Sequence, residues 1–368
     1  MKYAELDTPA LLIDREILMG NIERMQRYAD AQGVALRPHT KTHKAPYIAK
    51  LQAEVGARGV AVAKVGEAEV MAEAGLNDIL IANEPVGRMK LQRIAHLSAG
   101  MRVSFGVDSI FQIEEAEAVF GPMDQVAEVF VEVEVGERRC GVDAEEDLSP
   151  LIEAIGRCPH VRLRGLFGHD GNTYGAKDMG ECERISQGAQ RKLARFAELA
   201  AKRGMPPEVV SYGSTPPLVR SVPIERGVTE IRPGTYALMD ASQGNAQGTL
   251  AMCAATVLAT VVSRPTPGRV ILDVGAKGLT MQERTVGICN SRGKGFIVGH
   301  PGAVISRMFD EHAIIEDEAF YGAVAVGDKV RIIPVHICPT CNLYDRATLI
   351  SGDDALQEIE IAARGKLR

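Results

Sequence analysis

The densest group of reactive side chains is Arg37-Pro38-His39-Thr40-Lys41-Thr42-His43-Lys44, with two lysines and two histidines inside six residues. A lysine acts as a nucleophile only when partly deprotonated, and neighbouring cations with burial lower its pKa from about 10.4. This block supplies the cations, and either Lys41 or Lys44 is a candidate. Two glycine-hydroxyl segments follow, Gly213-Ser214-Thr215 and Pro233-Gly234-Thr235-Tyr236. Small residues at strand ends let backbone N–H groups and hydroxyls approach a phosphate, although each segment alone also reads as a plain turn. His336-Ile337-Cys338 offers an imidazole and a thiol two residues apart. On a strand they would share a face and could converge on one metal, for which zinc suits the donors best. Cys338-Pro339-Thr340-Cys341 is a CxxC with no second CxxC to complete a structural zinc site. A polar loop, His169-Asp170-Gly171-Asn172-Thr173-Tyr174, is suited either to positioning a substrate or to an Asx-type turn.

The elements that must position these groups form a rhythm over the first two-thirds of the chain. A short β-branched run, a polar turn and an amphipathic helix recur about eight times. Expected strands are Ala35–His39, Gly59–Lys64, Asp78–Asn83, Arg102–Asp108, Ala127–Val135, Arg162–His169, Val209–Gly213 and Glu230–Tyr236. Expected helices include Gly66–Ala74, Asp147–Arg157 and Cys182–Arg203. Eight such units predict an α/β fold, a (β/α)8 barrel of the TIM type, over an open sheet, and a barrel gathers its reactive groups where strands end. The lysine block and both glycine segments fall at such ends.

After Gln247 the pattern changes to β-branched runs with almost no helix: Ala254–Arg264, Arg269–Val274, Gly295–Val298, Lys329–Pro334 and Thr348–Ser351. This predicts a barrel over residues 13–247 and a β-rich unit over 248–368. The opening strand Ala10–Asp14 is surplus to the barrel, so residues 1–12 are assigned to the β-rich unit.

Composition limits the functional classes. A net charge of -6 without a Lys/Arg cluster argues against a nucleic-acid partner. No apolar run nears the roughly 20 residues of a membrane span, and the start has acids where a signal peptide needs an apolar stretch. Seven scattered cysteines read as reduced thiols, so the cytoplasm is the expected compartment.

Taken together the segments resemble the D-serine dehydratase and D-threonine aldolase family, whose fold is that of alanine racemase. The resemblance spans Thr8-Pro9-Ala10 to about Asp345. It is carried by residues 37–44, Lys64-Val65-x-Glu67-Ala68, Gly136-x-x-Arg139-Cys140-Gly141-Val142, Gly213-Ser214-Thr215, Arg232-Pro233-Gly234-Thr235-Tyr236, Asp273-x-Gly275-x-Lys277 and His336-x-Cys338. It implies pyridoxal 5'-phosphate (PLP) as cofactor, joined to Lys41 rather than Lys44, with Arg139 near the ring oxygen. Phosphate contacts would come from Gly213, Ser214, Thr215, Gly234 and Thr235, and His39, Tyr174 and Tyr236 are counted with the cofactor-binding set. His336 and Cys338 are the implied ligands of a divalent metal, zinc first, with Mn²⁺ or Mg²⁺ as substitutes. Cysteine at position 338, where aldolases of the family carry aspartate, and the 169–174 loop look like the dehydratase branch. Glu134 departs from the aspartate of many relatives.

The implied activity is that of a lyase on a β-hydroxy-D-amino acid. Lys41, once freed from the cofactor, would remove the Cα proton, and His336 and Cys338 would hold the metal that draws off the hydroxyl. A dehydratase giving a 2-oxo acid and ammonia is expected ahead of a retro-aldolase giving glycine and an aldehyde. A racemase of the same fold, a PLP carrier without turnover and an unrelated metal-dependent barrel hydrolase are the rivals. D-Serine, D-threonine and 3-hydroxyaspartate all fit as substrates. The resemblance also implies a head-to-tail homodimer.

Overall fold

A computed structural model describes all 368 residues. The chain opens with β1 (Ala10–Asp14) and then builds eight parallel strands: β2 (Ala35–Leu36), β3 (Val60–Val62), β4 (Asp78–Ile81), β5 (Arg102–Val107), β6 (Ala127–Glu132), β7 (Val161–Gly168), β8 (Val209–Tyr212) and β9 (Glu230–Ile231). Their order is β2-β9-β8-β7-β6-β5-β4-β3. The sheet closes through the chain beyond β2. His39 N–H donates to Pro233 O on one side, while Ala61 of β3 bonds Pro38 O and Thr40 N–H on the other, each at 2.8–2.9 Å. All eight expected strands are present, and several are shorter than expected. Pro38 and Pro233 have no N–H to give, so the ladders of β2 and β9 stop early and the chain is free to turn at the barrel mouth.

Helices separate the strands because each carries its own start and stop. Asp14 accepts the Ile17 N–H at 3.0 Å and begins Arg15–Gln32, which ends at Gly33 with φ +68°. Asp178 likewise begins Met179–Lys202, whose Cys182, Ser186, Ala189, Leu193, Phe196 and Ala200 bury one stripe.

Inside the barrel three layers follow one another. At the floor, Arg37 and Arg164, both almost fully buried, share Asp78, and Arg37 also bonds Glu230 at 2.8 Å. Above them Ala61, Leu80, Phe130, Phe167 and Val209 form an apolar layer. Gly165 makes room for it, since a Cβ there would lie 2.5 Å from the Phe130 ring. The top layer is the polar mouth.

The remaining strands are β10 (Ala255–Thr266), β11 (Arg269–Leu272), β12 (Gly295–Ile297), β13 (His300–Met308), β14 (Ala313–Glu316), β15 (Lys329–Pro334), β16 (Arg346–Ser351) and β17 (Asp354–Glu360). The sheet order is β11-β14-β13-β12-β15-β10-β1-β16-β17, and β11 also pairs with β10, which closes six of these strands into an antiparallel barrel. As expected, β1 joins this sheet, antiparallel to β10 and parallel to β16. Sequence reading did not anticipate β13, β14 and β17. β13 has an irregular burial pattern and register shifts, β14 is four residues long, and β17 is an edge strand with mostly exposed residues, so none shows a clean period of two. Short helices at Ala276–Leu279, Glu318–Ala323 and Ile337–Cys341 interrupt the strands. No helix of the chain is long and apolar enough to cross a membrane.

Candidate active site

A cavity of about 400 Å³ opens at the barrel mouth, and its wall takes residues from both sheets. The lysine block, strand ends β4 and β6–β9, and the segments around 284 and 336–338 all reach it. Its size and its convergent polar groups are those of a small-molecule site.

Lys41 lies in the turn after β2 and faces this cavity. Burial lowers its pKa, and the nearby Arg139 and Arg232 guanidinium groups push it further down, against Cys338 and Glu67. Lys44 is turned away. Its ammonium is 3.0 Å from both Glu67 Oε1 and Asn342 Oδ1, outside the cavity. The structure therefore separates the two lysines: one is an ion-paired strut and the other is a free amine at the mouth.

Two histidines flank Lys41 and are held neutral. Burial and then the Lys41 charge push His39 well below its ordinary value, and the same two causes push His169 down to about 3. His169 Nδ1 donates to Gly213 O at 2.7 Å, which fixes its ring against β8. Tyr174, on the short turn Gly171–Gly175, also lines the cavity, its phenol pKa raised by burial.

The glycine segments meet at one end. Gly213, Ser214 and Thr215 follow β8, and Gly234 and Thr235 follow β9; all five line the cavity. Thr235 N–H donates to Thr215 Oγ1 at 3.2 Å and ties the two segments together. The N–H groups of Ser214 and Gly234 have no acceptor within the chain, so they remain open to an anion. A Cβ at Gly234 would lie 2.9 Å from Thr42 Oγ1, so only glycine brings this backbone so near the lysine block. Tyr236 does not join them. The 3-10 turn Thr235–Ala237 directs it into the core, where its hydroxyl accepts from Gln52 Nε2 at 2.9 Å. The expectation that it faces the cavity is corrected.

Arg139 reaches the cavity on the loop after β6, with its guanidinium 3.5 Å from Glu132 Oε1. The Glu134 carboxylate accepts from the N–H groups of Gly136 and Arg139, so this variant residue closes the turn that presents the arginine. Glu84, beside Glu132, has its pKa raised to about 9, first by burial and then by sharing a hydrogen bond with Glu132.

His336 and Cys338 both line the cavity, with Cys338 Sγ 3.7 Å from Thr235 Oγ1 at the end of β9. The geometry that brings them there differs from the expected strand alternation. His336 is the extended N-cap of the helix Ile337–Cys341, so the chain turns between the two ligand types. Asp240, fully buried, accepts the Ile337 N–H at 3.1 Å and holds this turn against the barrel. His336 Nδ1 is bonded to Gln282 Oε1 at 2.7 Å, which leaves Nε2 as the donor available to a cation. Burial lowers the His336 pKa to about 4, the neutral state in which imidazole binds metals. The Cys338 thiol donates to Thr42 Oγ1 at 3.3 Å, and burial raises its pKa. Cys341 packs in the core and is absent from the cavity wall.

His169, in the polar loop named from sequence, reaches the cavity, as does Arg232, which was named only as part of the resemblance. Glu84, Glu132, Glu137 and Arg284 also reach it and were not singled out from sequence. Arg232 had a visible cue in the Arg-Pro-Gly at a strand end. Arg284, in the irregular stretch after Thr280, had none.

Two family models match the chain. "Alanine racemase, N-terminal domain" covers residues 13–242, and "Putative serine dehydratase domain" covers 254–350. A D-threonine aldolase of Arthrobacter sp. is 35% identical over 98% of this chain and 94% of its own. The solved D-threo-3-hydroxyaspartate dehydratase of Delftia sp. HT23 is similar with a TM-score of 0.90 and 31% identity, covering 98% of each chain. A solved D-threo-3-hydroxyaspartate dehydratase variant, with one cysteine replaced by alanine and described as the metal-free form, has a TM-score of 0.90 and 30% identity over 98% of each chain. Both the fold and the extent of these matches make the chain a member of the PLP-dependent D-serine dehydratase and D-threonine aldolase family, lyases of alanine racemase-like fold.

Proposed function

We propose that the protein is a PLP- and metal-dependent lyase that removes water from a β-hydroxy-D-amino acid, giving a 2-oxo acid and ammonia. The observation that carries this reading is the convergence of Lys41 from one sheet with His336 and Cys338 from the other on one cavity. Residues 13–247 would then hold the cofactor, and 248–368 with strand 1–12 would hold the metal.

The residues present fit both groups. The free N–H groups of Ser214 and Gly234, with the Ser214 and Thr235 hydroxyls, offer a phosphate cradle. Lys41, with its lowered pKa, is the amine for an aldehyde. A soft thiol and a neutral imidazole form a donor pair that suits zinc, with Mn²⁺ or Mg²⁺ as poorer substitutes. PLP, when bound, supplies an aldehyde that joins amines and a ring that spreads negative charge from Cα. A divalent cation supplies a Lewis acid for the oxygen on Cβ.

The chain's own residues do the rest. Lys41 takes the Cα proton, since its amine is already biased toward the neutral base. His39 and His169, held neutral, line the space beside it without adding repelling charge. Arg139, steadied by Glu132 and Glu134, would hold the ring of the cofactor from the β6 side. His336 and Cys338 supply two protein donors, which leaves room for substrate oxygen and water. The Arthrobacter aldolase supports a second reading, in which Cα–Cβ breaks and glycine with an aldehyde results. Cysteine at position 338 favours dehydration.

Chelation separates these ideas from a metal-free mechanism. Treating the purified protein with a strong chelator should stop ammonia release and leave the visible band of the lysine-bound cofactor intact, with zinc restoring turnover. Cys338→Ala should behave in the same way, and Cys341→Ala should cost much less. Full turnover in metal-free protein would overturn the metal assignment. Aldehyde in place of ammonia would select the aldolase. Seven cysteines with no disulfide suit the cytoplasm, and a homodimer is the assembly carried over from the resemblance, to be checked by mass in solution.

A further inference from the structure

The loop His169–Tyr174 holds a carboxyl that the lyase reading leaves unused. Asp170 is fully buried and is absent from the cavity wall. The Asx turn that was one reading of this loop does not form, since the Asp170 side chain caps none of its N–H groups. A one-way chain of donors ends on it instead. Gln190 Oε1 accepts the Glu225 N–H at 2.8 Å, so its Nε2 is the end that donates to Ser186 Oγ at 3.2 Å. Ser186 then donates to the Tyr212 hydroxyl at 2.6 Å, and Tyr212 donates to Asp170 Oδ2 at 2.6 Å. Asp170 Oδ1 is buried and has no partner.

An ionised carboxylate is costly in this position, because one oxygen lacks a donor in a dry interior. Burial raises the Asp170 pKa to about 7, the Glu137 charge on the loop after β6 adds to the rise, and hydrogen bonds from Tyr212 and Ser214 oppose it. The other titratable groups that face it carry no charge near neutrality. Tyr212 from β8 is held well above its ordinary value, Cys182 from the helix Met179–Lys202 is pushed up to about 12, and the adjacent His169 is neutral. Of the side chains that hydrogen-bond Asp170, Ser214 alone lines the cavity. Thr173 links the two, its hydroxyl donating to Asp170 O at 2.7 Å and standing 3.0 Å from Ser214 Oγ. Asp170 thus stands behind the hydroxyl and the free N–H that Ser214 offers to an anion.

We infer that Asp170 is a positioning residue acting through Ser214, protonated when a phosphate fills the glycine segments and ionised when they stand empty above neutral pH. Retention of the cofactor is then linked to a proton, taken from solvent on binding and returned to it on release. This rests on the reading of Ser214 and Gly234 as a phosphate cradle. Ionised, Asp170 competes for the Ser214 proton and sets a second negative charge behind the phosphate. Protonated, it does neither.

Binding measured against pH tests the inference without turnover. Full-length protein stripped of cofactor is titrated with pyridoxine 5'-phosphate, which carries the phosphate but no aldehyde, so the Lys41 amine forms no bond to it. Above pH 7 this phosphate is already a dianion, with a second pKa of about 6. Between pH 7 and pH 9 the wild-type Kd should rise at least about tenfold, against less than about threefold in Asp170→Asn. Calorimetry at pH 8 in buffers of different ionisation heat should find wild type taking up at least about half a proton more than Asp170→Asn. Tyr212→Phe removes the donor to Oδ2 and should carry the wild-type fall in affinity to higher pH. A purely structural Asp170 would weaken binding equally at every pH when replaced. Parallel profiles for wild type and Asp170→Asn therefore overturn the inference; if that variant does not fold, a Tyr212→Phe profile that coincides with wild type overturns it. Ser214→Ala tests the cradle itself and should weaken binding about tenfold at pH 7. If it does so while the other profiles stay parallel, the inference alone fails. If Ser214→Ala binds as wild type does, the cradle reading fails and takes the inference with it.

Discussion

The floor and the mouth of the same barrel treat charge in opposite ways. At the floor, Arg37 and Arg164 are ion-paired with Asp78 and Glu230, with Ser104 and Ser211 extending the network. At the mouth, Lys41, Arg232 and Arg284 have no acid within ion-pair distance. The two are joined, because Ser211 Oγ donates to Glu230 at 2.7 Å and accepts from Arg232 at 3.2 Å. Paired charge holds the strands in register; unpaired charge leaves capacity for ligands. A functional site in this fold is recognised by what its cations lack.

Removing charge from the two ends should therefore have opposite signatures. Lys41→Ala should lower turnover by about 10²–10⁴-fold and abolish the visible band of the bound cofactor. Because Lys41 pairs with no acid, its loss should move folding stability by less than about 0.5 kcal/mol in urea titration. Loss of the band on Lys44→Ala with retention on Lys41→Ala would reverse the assignment of the two lysines.

Arg37→Met should do the reverse. It strands Glu230 and half of Asp78 in a dry interior, a change that costs about 3–5 kcal/mol. Urea unfolding should register that loss, while the fraction still folded binds PLP with wild-type affinity. A stability change under about 1 kcal/mol would mean that water or relaxation satisfies the floor without the arginine.

Gln282→Ala gives the smallest of these effects and the most local. It frees the His336 ring, so metal affinity should fall by about 10–100-fold in competition against a chelator. Stability and PLP binding should stay unchanged. If affinity is unaffected, Gln282 does not orient the ligand.

How much of this could be read beforehand follows from range in sequence. The eight barrel units were legible because strand, turn and amphipathic helix are local patterns. Lys41 and the glycine segments stood at strand ends, where a barrel collects its reactive groups. His336 and Cys338 were legible as donors but not in their geometry, because β15 ends at Pro334 and the chain turns into a short helix at His336 instead of continuing the strand. Tyr236 was misjudged because adjacency to Gly234 and Thr235 says nothing about which way a 3-10 turn directs a side chain. Arg284 and the Glu84–Glu132 pair are set by contacts between distant segments, and no window of sequence holds that information.

The place of β1 has a consequence for how the chain is made. Leu12 pairs with Thr256 and with Thr348, so the strand emerges early from the ribosome and waits for almost the entire remainder of the polypeptide. At about 5–20 residues per second that delay lasts many seconds, during which the apolar Leu11-Leu12-Ile13 edge has no partner. The parallel barrel can form in the interval, but β1 is then a tethered, unsatisfied edge at its entrance. Nascent chains stalled before residue 346 should accordingly be held by chaperones or aggregate, whereas chains released at full length close that edge on themselves.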